Sequence, residues 1–127
     1  SDLEVKVRKA TNNDEWGPKG KHLREIIQGT HNEKSSVAEI MAVLWRRLND
    51  TKNWRVVYKA LILLHYLLRN GSPNVVLEAL RNRNRILTLS DFRDIDSRGK
   101  DQGANIRTYA KYLLERLEDD GRLKKER

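Results

Sequence analysis

The apolar positions of this chain fall at helical spacing almost throughout, and the strongest signal lies in the middle. From Val56 to Leu68 only Lys59 and His65 interrupt an apolar stretch. A helix apolar on nearly every face is a buried central helix, expected here over 53–70. The spacing predicts six further helices around it. Leu3, Val7 and Ala10 share one face of a first helix, with Ser1 and Glu4 as a capping box. The alternation over 3–8 would also suit a strand, but no second strand is evident to pair with it. Leu23, Ile26 and Ile27 face inward from a helix near 19–28. Ser36 caps a third helix, with Glu39 as box partner and Val37, Ile40, Met41, Leu44 and Leu48 on its core face. Asn70-Gly71-Ser72-Pro73 is a stop-start signal: Gly71 just past one helix, Ser72 as the next N-cap, Pro73 at its first position. A fifth helix follows over 73–82, with Val76, Leu77 and Leu80 inward. Ile86, Leu87, Leu89 and Phe92 imply a short sixth, and 94–103 reads as a polar loop. In the last helix Ile106, Tyr109, Ala110, Leu113, Leu114 and Leu117 keep one face apolar. It should end near 119–121, before a charged tail.

Helices joined by short loops, without strands, make an all-α fold. A central helix buried on nearly every side favours a stacked, superhelical arrangement over a four-helix bundle. At 127 residues the chain is the size of one domain, and the absence of cysteine excludes disulfides and thiolate metal sites. No apolar run reaches the roughly 18–20 residues needed to span a bilayer.

Charge changes the picture more than composition does. The net charge is +8, and residues 1–60 and 61–127 each carry +4. A basic tail is therefore excluded, and any basic patch must be assembled by folding. Nothing in the sequence points to a catalytic constellation or a cofactor. His22 lies in a basic stretch, His31 in a loop, and His65 within the apolar helix, where a hydrogen-bonded structural role fits best. There is no HExxH pair, no phosphate-binding Gly-rich loop and no nucleophile elbow.

The sharper signal is cationic. Lys52, Arg55 and Lys59 recur at one stripe of the central helix, at and after its start, where the helix dipole also favours anions. Arg46 and Arg47 end the preceding helix. Alternatively, Arg55 and Lys59 simply pair with Asp or Glu elsewhere. Spacing alone does not choose among a phosphate headgroup, nucleic acid and an acidic peptide. Against specific nucleic-acid binding, aromatics are only 6% of the chain and several lie on apolar faces, which leaves few for base stacking. Arg81, Arg83 and Arg85 alternate with Asn82 and Asn84, which scatters their charge around a helix.

Six ordered motifs then identify a resemblance over essentially the whole chain. They are Lys6-Val7-Arg8-Lys9-Ala10-Thr11, Asn13-Asp14-Glu15-Trp16-Gly17-Pro18, Trp45-Arg46-Arg47-Leu48-Asn49-Asp50, the run from Lys52 to Lys59, Asn70-Gly71-Ser72, and Lys100-Asp101-Gln102-Gly103-Ala104-Asn105-Ile106-Arg107. Together they resemble the epsin N-terminal homology (ENTH) domain of clathrin-associated adaptors. The resemblance implies a right-handed superhelix of seven to eight helices over 1–127. It also implies a module that binds inositol phospholipid headgroups on cytosolic membranes (plasma membrane, endosome or Golgi-derived vesicles). Clathrin coat components would be engaged through the rest of the protein, with a partner adaptor or vesicle cargo as a further partner. Family headgroup positions fall on Arg8, Asn13, Arg47, Lys52 and Lys59, with Arg46 and Arg55 as accessory neighbours. A histidine of plasma-membrane epsins falls at Val56, which cannot donate a hydrogen bond. The family's upstream amphipathic helix and disordered C-terminal region are expected to lie outside this chain. The rival expectation is a protein-interaction module using the final helix and residues 73–92.

Overall fold

A computed structural model describes residues 2–12, 20–32, 34–50 and 52–126, the side chains of 34–35 and 121–126 aside. Among the described residues seven α-helices follow one another: α1 (Asp2–Ala10), α2 (Gly20–Asn32), α3 (Lys34–Leu48), α4 (Trp54–Asn70), α5 (Pro73–Arg81), α6 (Arg83–Thr88) and α7 (Gly103–Glu126). A 3₁₀ turn, Leu89–Asp91, extends α6. Among the described residues there is no strand, only an isolated bridge between Ile95 and Asp101. The all-α expectation therefore holds.

The central helix is where the apolar pattern placed it. Val56, Val57, Ala60, Leu61, Leu63, Leu64 and Leu67 of α4 are buried, and α1, α2, α3, α5 and α7 all pack against it. The two helices richest in buried residues, α3 and α4, supply Ile40, Met41, Leu44, Leu61, Leu63, Leu64 and Leu67 with almost no exposure. Each such side chain contributes about 1.5–3 kcal/mol on leaving water. Val7 and Ala10 close the core from α1, and Ile106, Ala110, Leu113 and Leu117 close it from α7.

Several local expectations change. α3 starts at Lys34, so Ser36 lies inside its first turn instead of capping it. α2 runs on to Asn32 and takes in His31, whose Nε2 lies 3.1 Å from the Asn70 carbonyl at the end of α4. Gly71 does end α4, but in an extended conformation (φ −78°) and not a left-handed one. Glycine suits it because a Cβ there would sit 2.6 Å from the Leu67 carbonyl oxygen. Ser72 occupies the N-cap of α5, yet its hydroxyl makes no capping bond; its backbone N–H donates instead to Thr30 Oγ1 (3.1 Å). Leu77 and Leu87 turn outward, 43% and 53% exposed, because α5 and α6 present Val75, Val76, Ala79 and Ile86 to the core. α7 continues through Gly121, where propensity had placed its end. Ser1 and the loop 13–18 lie outside the described residues.

The polar loop before α7 is organised by its acidic residues. Asp101 accepts from the Gly103 N–H (3.0 Å) and pairs with Arg107 (2.7 Å), while Arg107 also donates to the Phe92 carbonyl (2.9 Å). The Arg107 guanidinium holds the Asp101 carboxyl below its ordinary range. Asp96 closes the turn around Gly99 (φ +84°) by accepting from the N–H groups of Arg98 and Lys100.

Candidate functional site

The chain's paired arginines sit where helix ends meet. Arg8 is in the last turn of α1, and Arg46 and Arg47 are in the last turn of α3. Cations at these positions offset the negative end of each helix dipole. Arg47 does so across helices: Nη2 donates to the Arg8 carbonyl (3.4 Å) and Nε to Thr11 Oγ1 (3.2 Å). Arg8, Val43, Arg46, Arg47 and Asp50 together line a shallow depression of about 210 Å³. The ion pairs among the described residues are Lys6–Glu25, Arg81–Glu78 and Arg107–Asp101, so none of the three arginines is neutralised there. Asp50 is engaged by Asn53, whose Nδ2 donates to both carboxylate oxygens (3.1 and 3.0 Å).

The stripe read from the central helix divides into three environments. Lys52 is exposed and precedes α4, in the turn after Asp50. Arg55 places its guanidinium carbon 5.2 Å from the Trp54 ring centroid, in cation–π range. Lys59 is 5% exposed and donates to Asn12 Oδ1 (2.8 Å). Because Asn12 directly follows Thr11, the Lys59 contact adjoins the Arg47 contact. The structure thus brings Arg8, Arg46 and Arg47 together around one depression, while Lys52, Arg55 and Lys59 lie outside its lining and Lys59 is tied to the end of α1 through Asn12. Val56 is 3% exposed and belongs to the core. Asn13 lies outside the described residues.

Sequence reading gave Thr11 and Asn12 no role, although both touch candidate cations. The available signal was a Thr one position past a helix end, where its hydroxyl can bond back to the preceding turn. Trp45 and Trp54 are packing residues, Trp45 buried and Trp54 against the core margin. His65 is structural, as expected: its Nδ1 lies 2.7 Å from the Tyr109 hydroxyl, and its ring meets Tyr109 and Tyr112 edge to face. Burial, then Arg116 and Arg69, push its pKa below the ordinary histidine value. No group of His, Asp or Glu among the described residues is arranged to hold a metal ion.

Fold and site together define a class: an all-α domain in which Arg8, Arg46 and Arg47 gather where the ends of α1 and α3 meet. A family model described as the ENTH domain matches residues 1–123, and the chain belongs to that family. It is 50% identical over 128 residues to Epsin-3 of Rattus norvegicus, covering all of this chain and 21% of that protein. The chain thus spans about a fifth of the length of the curated relatives it matches. Among solved structures, the human epsinR ENTH domain superposes with a TM-score of 0.91 at 46% identity, over 100% of this chain and 94% of that one. The ENTH domain from epsin-2 in complex with phosphatidylinositol 4,5-bisphosphate gives 0.90 at 42% identity, over 100% and 89%.

Proposed function

We propose that this domain is a non-enzymatic membrane-recruitment module that reads phosphorylated inositol headgroups through Arg8, Asn13, Arg47, Lys52 and Lys59, with Arg46 and Arg55 as accessory cations. The observation that carries this reading is the depression between α1 and α3, where three arginines are gathered without a paired carboxylate among the described residues. Charge-assisted hydrogen bonds to phosphate supply the contact, and long-range attraction to an anionic leaflet brings the domain to it. The epsin-2 domain in complex with the bisphosphate lipid supports the ligand class. In the full-length protein the module delivers a clathrin adaptor to cytosolic membranes, with clathrin coat components bound elsewhere in that protein. A direct test is competition: a soluble inositol polyphosphate should release the domain from phosphoinositide vesicles at concentrations where sulfate of equal ionic strength does not. Equal release by both would leave only non-specific polyanion binding, as would a salt dependence that is the same for nucleic acid.

A second reading rests on a separate observation. Leu77 and Leu87 in the 73–92 segment and Tyr112 (43% exposed) on α7 present apolar surface outside the lining of the arginine depression. A similar structure, at a TM-score of 0.90, is described as the endocytic adaptor complex AENTH. These faces would hold a partner adaptor or vesicle cargo. A charge change at Leu77 or Leu87 that abolishes capture of such a partner, with lipid binding intact, supports this role.

A further inference from the structure

We infer that Thr11 is a positioning residue that fixes the Arg47 guanidinium in the headgroup site; the inference rests on the proposed reading of that site. Thr11 is fully buried one residue past α1. Its hydroxyl lies 2.7 Å from the Val7 carbonyl, a bond in which only the hydroxyl can donate. The single hydroxyl proton is thereby committed, and what Thr11 presents to α3 is an oxygen lone pair. Arg47 Nε donates to that lone pair at 3.2 Å, and Nη2 donates to the Arg8 carbonyl at 3.4 Å. Two of the guanidinium's edges are therefore held by the end of α1. Nη1 has no partner among the described residues, and Arg47 lines the depression.

The arrangement makes a rigid fork from a flexible side chain. An arginine free to sample its rotamers gives up side-chain entropy when an anion immobilises it. Here much of that ordering precedes the ligand. The β-branch of Thr11 adds to it, because χ1 of a packed threonine has few alternatives. Asn12 acts in the same way on the next cation, accepting from Lys59 Nζ at 2.8 Å. The Thr11-Asn12 dipeptide thus ties cations from α3 and α4 to the end of α1, and it explains how residues far apart in sequence share one site.

Two substitutions separate the hydroxyl from the shape. Thr11→Val keeps the branched volume and removes the acceptor; Thr11→Ser keeps the acceptor and removes a methyl. Binding is measured to phosphatidylcholine vesicles with and without phosphatidylinositol 4,5-bisphosphate, with Arg47→Ala as the reference. Thr11→Val is expected to bind about tenfold more weakly, the scale of one hydrogen bond to a charged group. Thr11→Ser should stay within about twofold of the parent, with any cost appearing in thermal stability. Nitrogen-15 spectra supply a second readout: Arg47 Nε–H should exchange slowly in the parent and in Thr11→Ser, and fast in Thr11→Val. If Arg47→Ala weakens binding and Thr11→Val does not, the positioning role is wrong and the headgroup reading stands. If Arg47→Ala binds like the parent, the assignment of Arg47 to the headgroup site fails first. Equal losses in Thr11→Ser and Thr11→Val, or fast Nε–H exchange in the parent, also overturn the inference, and the exchange measurement needs no variant to fold.

Discussion

Tyr109→Phe and His65→Phe should each destabilise the domain, and the two together should cost less than either cost would suggest. The reason lies between α4 and α7. His65 Nδ1 and the Tyr109 hydroxyl are 2.7 Å apart, and His65 Nε2 is buried with no partner among the described residues. Tyr109→Phe removes the hydroxyl and leaves the imidazole with neither nitrogen satisfied. A buried polar group stranded in this way costs about 1–3 kcal/mol. His65→Phe strands the Tyr109 hydroxyl instead, at about 1 kcal/mol given its partial exposure. In the double variant both polar groups are gone, and the edge-to-face ring packing with Tyr58 and Tyr112 is retained in kind. Its stability should lie within about 1 kcal/mol of the parent, giving a coupling of about 1–4 kcal/mol across the cycle. Urea unfolding monitored by circular dichroism reads all four proteins, with the slope checked for constancy. Additive losses, or a Tyr109→Phe variant as stable as the parent, would refute the reasoning, because His65 would then find its polar partner elsewhere.

Other consequences can be checked with the same material. Gly103→Ala places a Cβ 2.8 Å from the Phe92 carbonyl oxygen and 3.1 Å from the Asp94 backbone nitrogen, and should cost about 1–3 kcal/mol in unfolding free energy. A melting curve unchanged by that substitution would mean the loop can retreat from α7. The pH dependence has a definite sign. His65 is held below its ordinary value of 6.5, so the unfolded chain takes up protons first as pH falls, and stability is full above 6.5 and declines below it. Between about pH 7.5 and 5.5 the parent should therefore lose more thermal stability than His65→Gln. The carboxylates Glu25, Asp96 and Asp101 are lowered too, but their contribution is lost only further down, below ordinary carboxylate values.

The fold was legible because burial has a period. In α4, Val56–Leu67 alternate in no polar rhythm, and the packing of five other helices around them is the physical counterpart. Ends were less legible. Ser36 has the composition of a cap, yet α3 begins earlier; Ser72 does stand at the N-cap of α5, but without a side-chain capping bond, its backbone N–H donating to Thr30. α7 crosses Gly121 because a single glycine costs a helix only about 1 kcal/mol. The cationic stripe shows a deeper limit. Spacing set Lys52, Arg55 and Lys59 in one row, but spacing does not report depth. Lys59 is sunk against Asn12, Arg55 lies on Trp54, and Lys52 stands free of the helix in solvent. Thr11 and Asn12 were invisible for the same reason: their partners are 36 and 47 positions away in sequence.

Arg8 and Lys52 are the right probes because both are exposed, so reversing their charge should leave the fold intact, Arg8→Glu costing no more than about 1 kcal/mol at the C-terminal end of α1. Co-sedimentation with phosphatidylcholine vesicles, with and without phosphatidylinositol 4,5-bisphosphate, then measures the site itself. The parent domain should pellet only with the phosphoinositide vesicles, and Arg8→Glu/Lys52→Glu should remain in the supernatant at physiological salt. Equal pelleting of the parent and the doubly reversed domain, or pelleting that ignores the phosphoinositide, would contradict the account.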